Sequence, residues 1–118
     1  MRASTDAYPG APTWLADAIA HIEGEIRSGI SASDVFRHVG YSRTLVETTF
    51  RMFLGKTVQK EIVETRVQAA KRLLLTTALP VKDIAAQIGY RSIEYFTRQL
   101  AAVTGQPPAA YRRLPPDP

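Results

Sequence analysis

Two short runs of this sequence carry side chains suited to one kind of chemistry. In the run from Ser42 to Arg51, the polar residues Arg43, Thr44, Glu47, Thr48 and Arg51 recur at steps that place them on one face of a helix. In the run from Arg91 to Arg98, the corresponding outward set is Ile93, Glu94 and Arg98, with Arg91 just ahead. A guanidinium is a planar forked donor, a carboxylate is an acceptor, and Thr and Ile offer methyl groups. These match the base edges of the DNA major groove: Arg suits guanine, Glu the cytosine amino group, Thr and Ile the thymine methyl. Ser42 and Ser92 stand at the heads of the two runs, where free helix amides favour a phosphate oxygen. Arg43, Arg51 and Arg91 are further candidates for phosphate or rim contacts. The sequence contains no Ser/His/Asp or Cys/His set and no phosphate-cradling glycine loop, so no enzyme is expected. It has no cysteine, and His21 and His38 lie in different helical segments without a carboxylate-rich partner set. Neither a metal site nor a cofactor is expected.

The two runs belong to a repeat. Asp34-Val35-Phe36-Arg37-His38-Val39-Gly40-Tyr41 returns as Asp83-Ile84-Ala85-Ala86-Gln87-Ile88-Gly89-Tyr90, a D-[VI]-x-x-x-[VI]-G-Y pattern displaced by 49 residues. Each copy predicts a short helix that stops at its glycine, then a longer helix that ends at Gly55 or Gly105. A short helix, a tight turn and a second helix make a helix-turn-helix, whose second helix offers its polar face to a major groove. Gly40 to Gly55 spans 15 residues and Gly89 to Gly105 spans 16, so the second turn is expected to hold one extra residue, near Arg91. Tyr41 and Tyr90 read as packing residues with wet hydroxyls.

Between the copies, Thr57–Thr77 reads as one helix of about 20 residues, roughly 30 Å long. Val58, Ile62, Arg66, Ala69, Ala70, Leu73 and Leu74 form its buried stripe, and Gln59, Lys60, Glu64, Gln68 and Lys71 its solvated back. The expected organisation follows in order. Residues 1–12, with Pro9, Gly10 and Pro12, are a disordered lead or the end of a linker. The domain runs from 13 to 113. Its first helix extends from Pro12 or Thr13 to Ser28, buries Leu15, Ile19, Ile22 and Ile26, and ends at Gly29. The first helix-turn-helix covers about 31–55, opening at Ser31 with Asp34 in a capping box. Ser42, or else Thr44 with Glu47, starts its second helix, which buries Leu45 or Val46, then Phe50, Phe53 and Leu54. The second helix-turn-helix covers about 80–105, opens at Pro80, and buries Phe96, Leu100 and Val103. A short helix over 107–113 and a proline-rich tail over 114–118 close the chain. No alternating β-branched run suggests a strand, so the fold class is all-α.

At 118 residues the chain suffices for one domain. Its net charge of +4 is unevenly spread: residues 30–113 hold 13 Lys and Arg against six Asp and Glu. Arginine outnumbers lysine eleven to four, which favours bidentate recognition of phosphate or guanine over diffuse attraction. No apolar run approaches the roughly 20 residues needed to cross a bilayer and no signal-peptide pattern opens the chain, so no membrane partner is expected. The absence of cysteine fits a reducing cytosol.

The second half resembles the AraC/XylS family of bacterial transcription regulators. Its I-A-x-x-x-G-Y-x-S-x-x-Y-F-x-R pattern appears from Ile84 to Arg98, and T-G-x-x-P-x-x-Y-R from Thr104 to Arg112. Arg66, Ala70, Leu73 and Leu74 match the family's R-x-x-x-A-x-x-L-L rod. The resemblance implies seven helices in a homeodomain-like tandem helix-turn-helix, with two reading helices in successive major grooves of double-stranded DNA. It implies control of transcription and base contacts at Thr44, Glu47, Thr48, Ile93, Glu94 and Arg98. The expected place is cytoplasmic and nucleoid-associated, and RNA polymerase is a candidate further partner, as a docking face of the two repeats would contact it. In the first unit Phe36 replaces a small residue at the helix crossing, and Thr48 and Thr49 stand where basic residues are frequent. Ser42-Arg43 with Glu47 ahead of Phe50 is more similar to the xylose-operon regulator branch, in which the module follows a sugar-sensing domain. An effector would then be bound by a domain absent from this chain, which would be the C-terminal part of a longer regulator or a stand-alone member. The alternative function is a helical protein-interaction module without base-specific binding. The salt dependence of DNA affinity separates the two.

Overall fold

The computed structural model describes residues 8–113, and among them every regular element is helical. The α-helices are α1 (Thr13–Gly24), α2 (Ala32–Val39), α3 (Arg43–Leu54), α4 (Val58–Thr76), α5 (Val81–Gln87), α6 (Ile93–Thr104) and α7 (Pro108–Arg112), with a 3₁₀ turn at Ile26–Ser28. This is the all-α tandem helix-turn-helix expected. No described helix is long and apolar enough to cross a membrane. Packing divides the chain into two units, the first built on residues up to Ile26 with Ile30–Ile62, the second on Arg27–Gly29 with residues from Val63 onward.

The first unit buries Leu15, Ala18, Ile19 and Ile22 of α1 against Val35 of α2, Val46 and Phe50 of α3, and Val58 and Ile62 of α4. Of the lead read over 1–12, residues 1–7 lie outside the described residues. Tyr8 to Ala11 form a turn, closed by a 3.0 Å bond from the Ala11 amide to the Tyr8 carbonyl, and both residues pack on this core. The packed chain therefore begins before Thr13. α1 is shorter than expected, stopping at Gly24 instead of Ser28. Glycine in a helix costs about 1 kcal/mol relative to alanine, and Gly24 buries no side chain in return. The chain tightens into the 3₁₀ turn, which still buries Ile26, before Gly29 turns it at φ 79°.

α2 starts at the predicted capping box: Ser31 Oγ accepts the Asp34 amide and the Asp34 carboxylate accepts the Ser31 amide. It ends at Gly40, whose φ of 77° would strain any residue carrying a Cβ. Of the two alternatives at the head of α3, Val46 is buried and Leu45 is 44% exposed.

The second unit packs Val67, Ala70 and Leu74 of α4 with Ile84, Ala85 and Ile88, and with Phe96 and Leu100 of α6. Val103, expected in this core, is instead 43% exposed, in the last turn of α6. α4 is slightly shorter than the 57–77 reading. Thr57 stays outside as a cap, its Oγ1 accepting the Lys60 amide at 3.0 Å. Arg66 is buried as expected, and the buried side of α4 is wider than the expected stripe, since Glu61, Thr65 and Val67 are also buried. Glu61 is fully buried, with Lys56 Nζ at 3.0 Å from its Oε1.

The final helix α7 follows Pro107 as its N-cap. Arg112 reaches from α7 to the end of α4, donating through Nε to the Leu74 carbonyl (3.1 Å) and through a terminal nitrogen to the Thr77 carbonyl (3.2 Å). A cation on the unsatisfied carbonyls of a helix C-terminus is favoured both by hydrogen bonding and by the helix dipole.

Candidate nucleic-acid interface

In the first unit the reading helix α3 is launched by Ser42, whose Oγ accepts the Leu45 amide at 3.2 Å. The hydroxyl proton stays available to donate to a phosphate oxygen. Arg43, Thr44, Thr48 and Arg51 are exposed, as are Leu45 and Met52, the latter at 70%. The opposite side of α3 is locked: Val46 and Phe50 are buried and Thr49 Oγ1 donates to the Leu45 carbonyl at 2.8 Å. The Arg43 guanidinium lies 5.8 Å from the Phe36 ring centre, so Phe36 braces a cation at the mouth of the turn. Glu47 is placed differently from its neighbours. It is half-buried, and its Oε1 accepts the Val58 amide at 3.0 Å, which caps the first turn of α4.

The capping box behind this helix is electrostatically tuned. The Ser31 amide and then the Ser31 hydroxyl, both bonded to Asp34, hold its carboxyl below the usual carboxylate range, with Arg37 adding to the effect. Arg37 and Asp34 form an ion pair one turn apart. His21 and His38 meet, contrary to their separation in the sequence: their rings stack at 3.7 Å, and His38 Nε2 lies 3.0 Å from Asp17 Oδ2. A carboxylate partner is thus present, but no cluster of three metal-ligating side chains occurs among the described residues.

In the second unit Gly40-Tyr41-Ser42 is replaced by Gly89-Tyr90-Arg91-Ser92, so the extra turn residue falls where the glycine spacing put it. The two tyrosines also differ. Tyr41 is 48% exposed and leans on Trp14 at 5.3 Å between ring centres. Tyr90 is buried, 4.8 Å from the Phe96 ring and with the Arg66 guanidinium 5.5 Å from its centre. Its hydroxyl is buried without a hydrogen-bond partner, which corrects the expectation of a wet hydroxyl. Burial pushes its ionisation far above the ordinary phenol range, and the charge of Arg66 opposes that only in part.

Ser92 Oγ accepts the Tyr95 amide at 3.1 Å and starts α6 as Ser42 starts α3. Arg91, Ile93, Glu94 and Arg98 are all exposed, while Phe96 and Leu100 are buried behind them. Arg98 lies 5.9 Å above the Tyr95 ring, and Tyr95 accepts a 2.8 Å bond from Gln99 Nε2 through its hydroxyl oxygen. This Gln99–Tyr95–Arg98 stack steadies an exposed guanidinium on the solvent side of α6. Sequence reasoning missed the brace, although the four-residue step from Tyr95 to Gln99 was its available signal.

Each unit therefore offers a hydroxyl-capped helix with a buried back and an exposed polar front. Comparison with known proteins agrees with that architecture. A family described as a helix-turn-helix domain matches residues 35–114. The transcriptional activator AarP of Providencia stuartii is 30% identical over 98 residues, covering 83% of this chain and 73% of that protein. The xylose operon regulatory protein of Escherichia coli K12 is 29% identical over 111 residues, 94% of this chain but only 28% of its own length. The DNA-binding domain of AdpA, a global transcriptional factor solved with a target DNA, superposes with a TM-score of 0.78 at 26% identity, covering 83% of this chain and 88% of that one.

Proposed function

The chain belongs to the AraC-type helix-turn-helix family of transcription regulators, and we propose that it is a sequence-specific DNA-binding module that presents α3 and α6 to major grooves. The observation that carries the reading is α6 itself. Its N-terminus is hydroxyl-capped, its back is buried through Phe96 and Leu100, and Ile93, Glu94 and Arg98 stand in solvent on the first two turns. The first turns of a recognition helix are the part that meets base edges.

The contacts divide by chemistry. Ser42 and Ser92, with Arg43, Arg51 and Arg91, take phosphate oxygens and set the register of each helix on the duplex. Thr44, Thr48, Ile93, Glu94 and Arg98 face the bases, Arg98 donating to guanine O6 and N7 and Glu94 accepting from a cytosine amino group. Glu47 supports α4 in place of a base contact. A protein-docking module would not lose DNA affinity steeply with salt, which separates the two readings.

Selection of sites from random duplexes, followed by affinity measurements across salt, tests the reading. A recurring site should emerge, with log affinity falling against log salt at a slope of roughly −3 if Arg43, Arg51 and Arg91 each neutralise one phosphate. Arg98→Ala should cost the selected site about 1–3 kcal/mol and leave random duplex nearly untouched. Equal weakening on both duplexes would move Arg98 to the phosphates, and a pool without enrichment would sink the function.

A further inference from the structure

Aligned at their capping serines, α3 and α6 carry opposite chemistry at the same positions. Thr44 and Thr48 of α3 stand where Glu94 and Arg98 stand in α6, and all four side chains are exposed. Two exposed aliphatic side chains, Leu45 and Met52, border the two threonines. Glu47, the carboxylate of α3, has an oxygen on the Val58 amide, and the helix contains no Asn or Gln. Its base-facing surface is thus methyl and hydroxyl groups, flanked by Arg43 braced over Phe36 and by Arg51 a turn beyond Thr48. The α6 surface is a carboxylate and a braced guanidinium.

We infer that the two units read half-sites of different composition: α3 takes an A·T-rich half-site through thymine methyl groups, and α6 takes a half-site containing G·C pairs. The major groove supplies the reason. The thymine C5-methyl is the apolar feature displayed there, and Thr methyls with Leu45 and Met52 are its complement. Guanine offers two acceptors to Arg98, and cytosine a donor to Glu94. The threonine hydroxyls bond to either kind of pair, so methyl burial is left as the discriminating interaction of α3. Removing one buried methyl costs about fourfold in affinity, whereas losing a bidentate guanine contact costs about 5- to 150-fold. The inference rests on the DNA-binding reading above and adds to it which bases each unit accepts.

The experiment uses the full chain and the duplex it selects from a random pool. Arg98→Ala and Thr48→Ala each blur one half of the motif, and so assign the halves to α6 and α3. Replacing thymine by deoxyuridine in the α3 half should then lower affinity by about fourfold per methyl contacted. Replacing guanine by 7-deazaguanine should act only in the α6 half. The double variant Thr44→Glu with Thr48→Arg, both at exposed positions, should melt like the parent and select a motif with G·C pairs in both halves. An α3 half rich in guanine and indifferent to deoxyuridine overturns the asymmetry while leaving sequence-specific binding intact. A pool without enrichment, with affinity insensitive to salt, overturns the DNA-binding reading and the asymmetry together.

Discussion

The carboxylate of Glu47 accepts the backbone amide of Val58 at 3.0 Å, so a side chain from the middle of α3 closes the first turn of α4. The bond lies within the first unit, as does the pair of half-buried Lys56 and fully buried Glu61. An unsatisfied amide at a helix start is a recurring cost, and a carboxylate there is favoured by the helix dipole as well. Glu47→Ala should therefore lower stability by about 1 kcal/mol, read as a shift of the urea midpoint. Glu47→Gln, which keeps an acceptor oxygen, should recover most of it. Neither change should alter the base preference of a selected site; a shifted preference would return Glu47 to the reading set.

Leu74 and Arg112 make a second joint, at the other end of α4. Leu74 is 1% exposed, and its carbonyl receives Arg112 Nε. Leu74→Ala should cost about 2–5 kcal/mol as a core truncation. Arg112→Ala should cost about 1–3 kcal/mol by freeing two carbonyls of a charged hydrogen bond each. Arg112→Lys should restore little, because an ammonium lacks the planar fork that holds both oxygens. Denaturant titration of the three variants measures this, and a lysine variant as stable as the parent would reduce the joint to simple charge.

What could be read from the sequence was local. Ser31, Ser42, Ser92 and Gly40 announce helix ends because capping depends on residues at most four apart, and the extra turn residue at Arg91 follows from counting between glycines. Features made by residues distant in sequence were not legible. Glu47 looks like an outward acid until Val58 is brought beneath it, and nothing in the local sequence marks Glu61 as a buried carboxylate paired with Lys56. Tyr41 and Tyr90 occupy the same place in the repeat, yet the first is exposed and the second is buried against Phe96 and Arg66, which lie in α6 and α4. The end of α1 at Gly24 depended on a balance: burial of Ile26 argued for extending the helix, and the tighter turn keeps that burial without a helical glycine.

The depressed ionisation of Asp34 gives stability a defined pH dependence. A carboxyl with a folded pKa below its ordinary value of 3.8 contributes stability above that value, and loses it as pH falls through the lower folded pKa. Asp34→Asn keeps an acceptor for the Ser31 amide but removes the charge. The melting temperatures of parent and variant should differ most near neutral pH and converge as pH drops below 3.8. A gap that stays constant down to pH 2.5 would place the stabilisation in the hydrogen bonds alone.

Tyr90 carries a polar atom that its surroundings do not use. The ring packs against Phe96 and beneath Arg66, but the hydroxyl is buried with no hydrogen-bond partner. An unsatisfied buried donor costs about 1–3 kcal/mol, whereas the ring contributes apolar burial and the attraction of the guanidinium. Tyr90→Phe keeps the ring and removes the orphaned group, so it should leave stability unchanged or raise it by about 1 kcal/mol. Tyr90→Ala should cost about 3–5 kcal/mol, in the range of large aromatic truncations. Both are exposed by thermal and denaturant melts. Because Tyr90 precedes Arg91 and Ser92 at the head of α6, the phenylalanine variant should also bind selected DNA like the parent. A phenylalanine variant that loses stability would mean the hydroxyl is bonded, for instance through ordered water, and would remove the basis of this prediction.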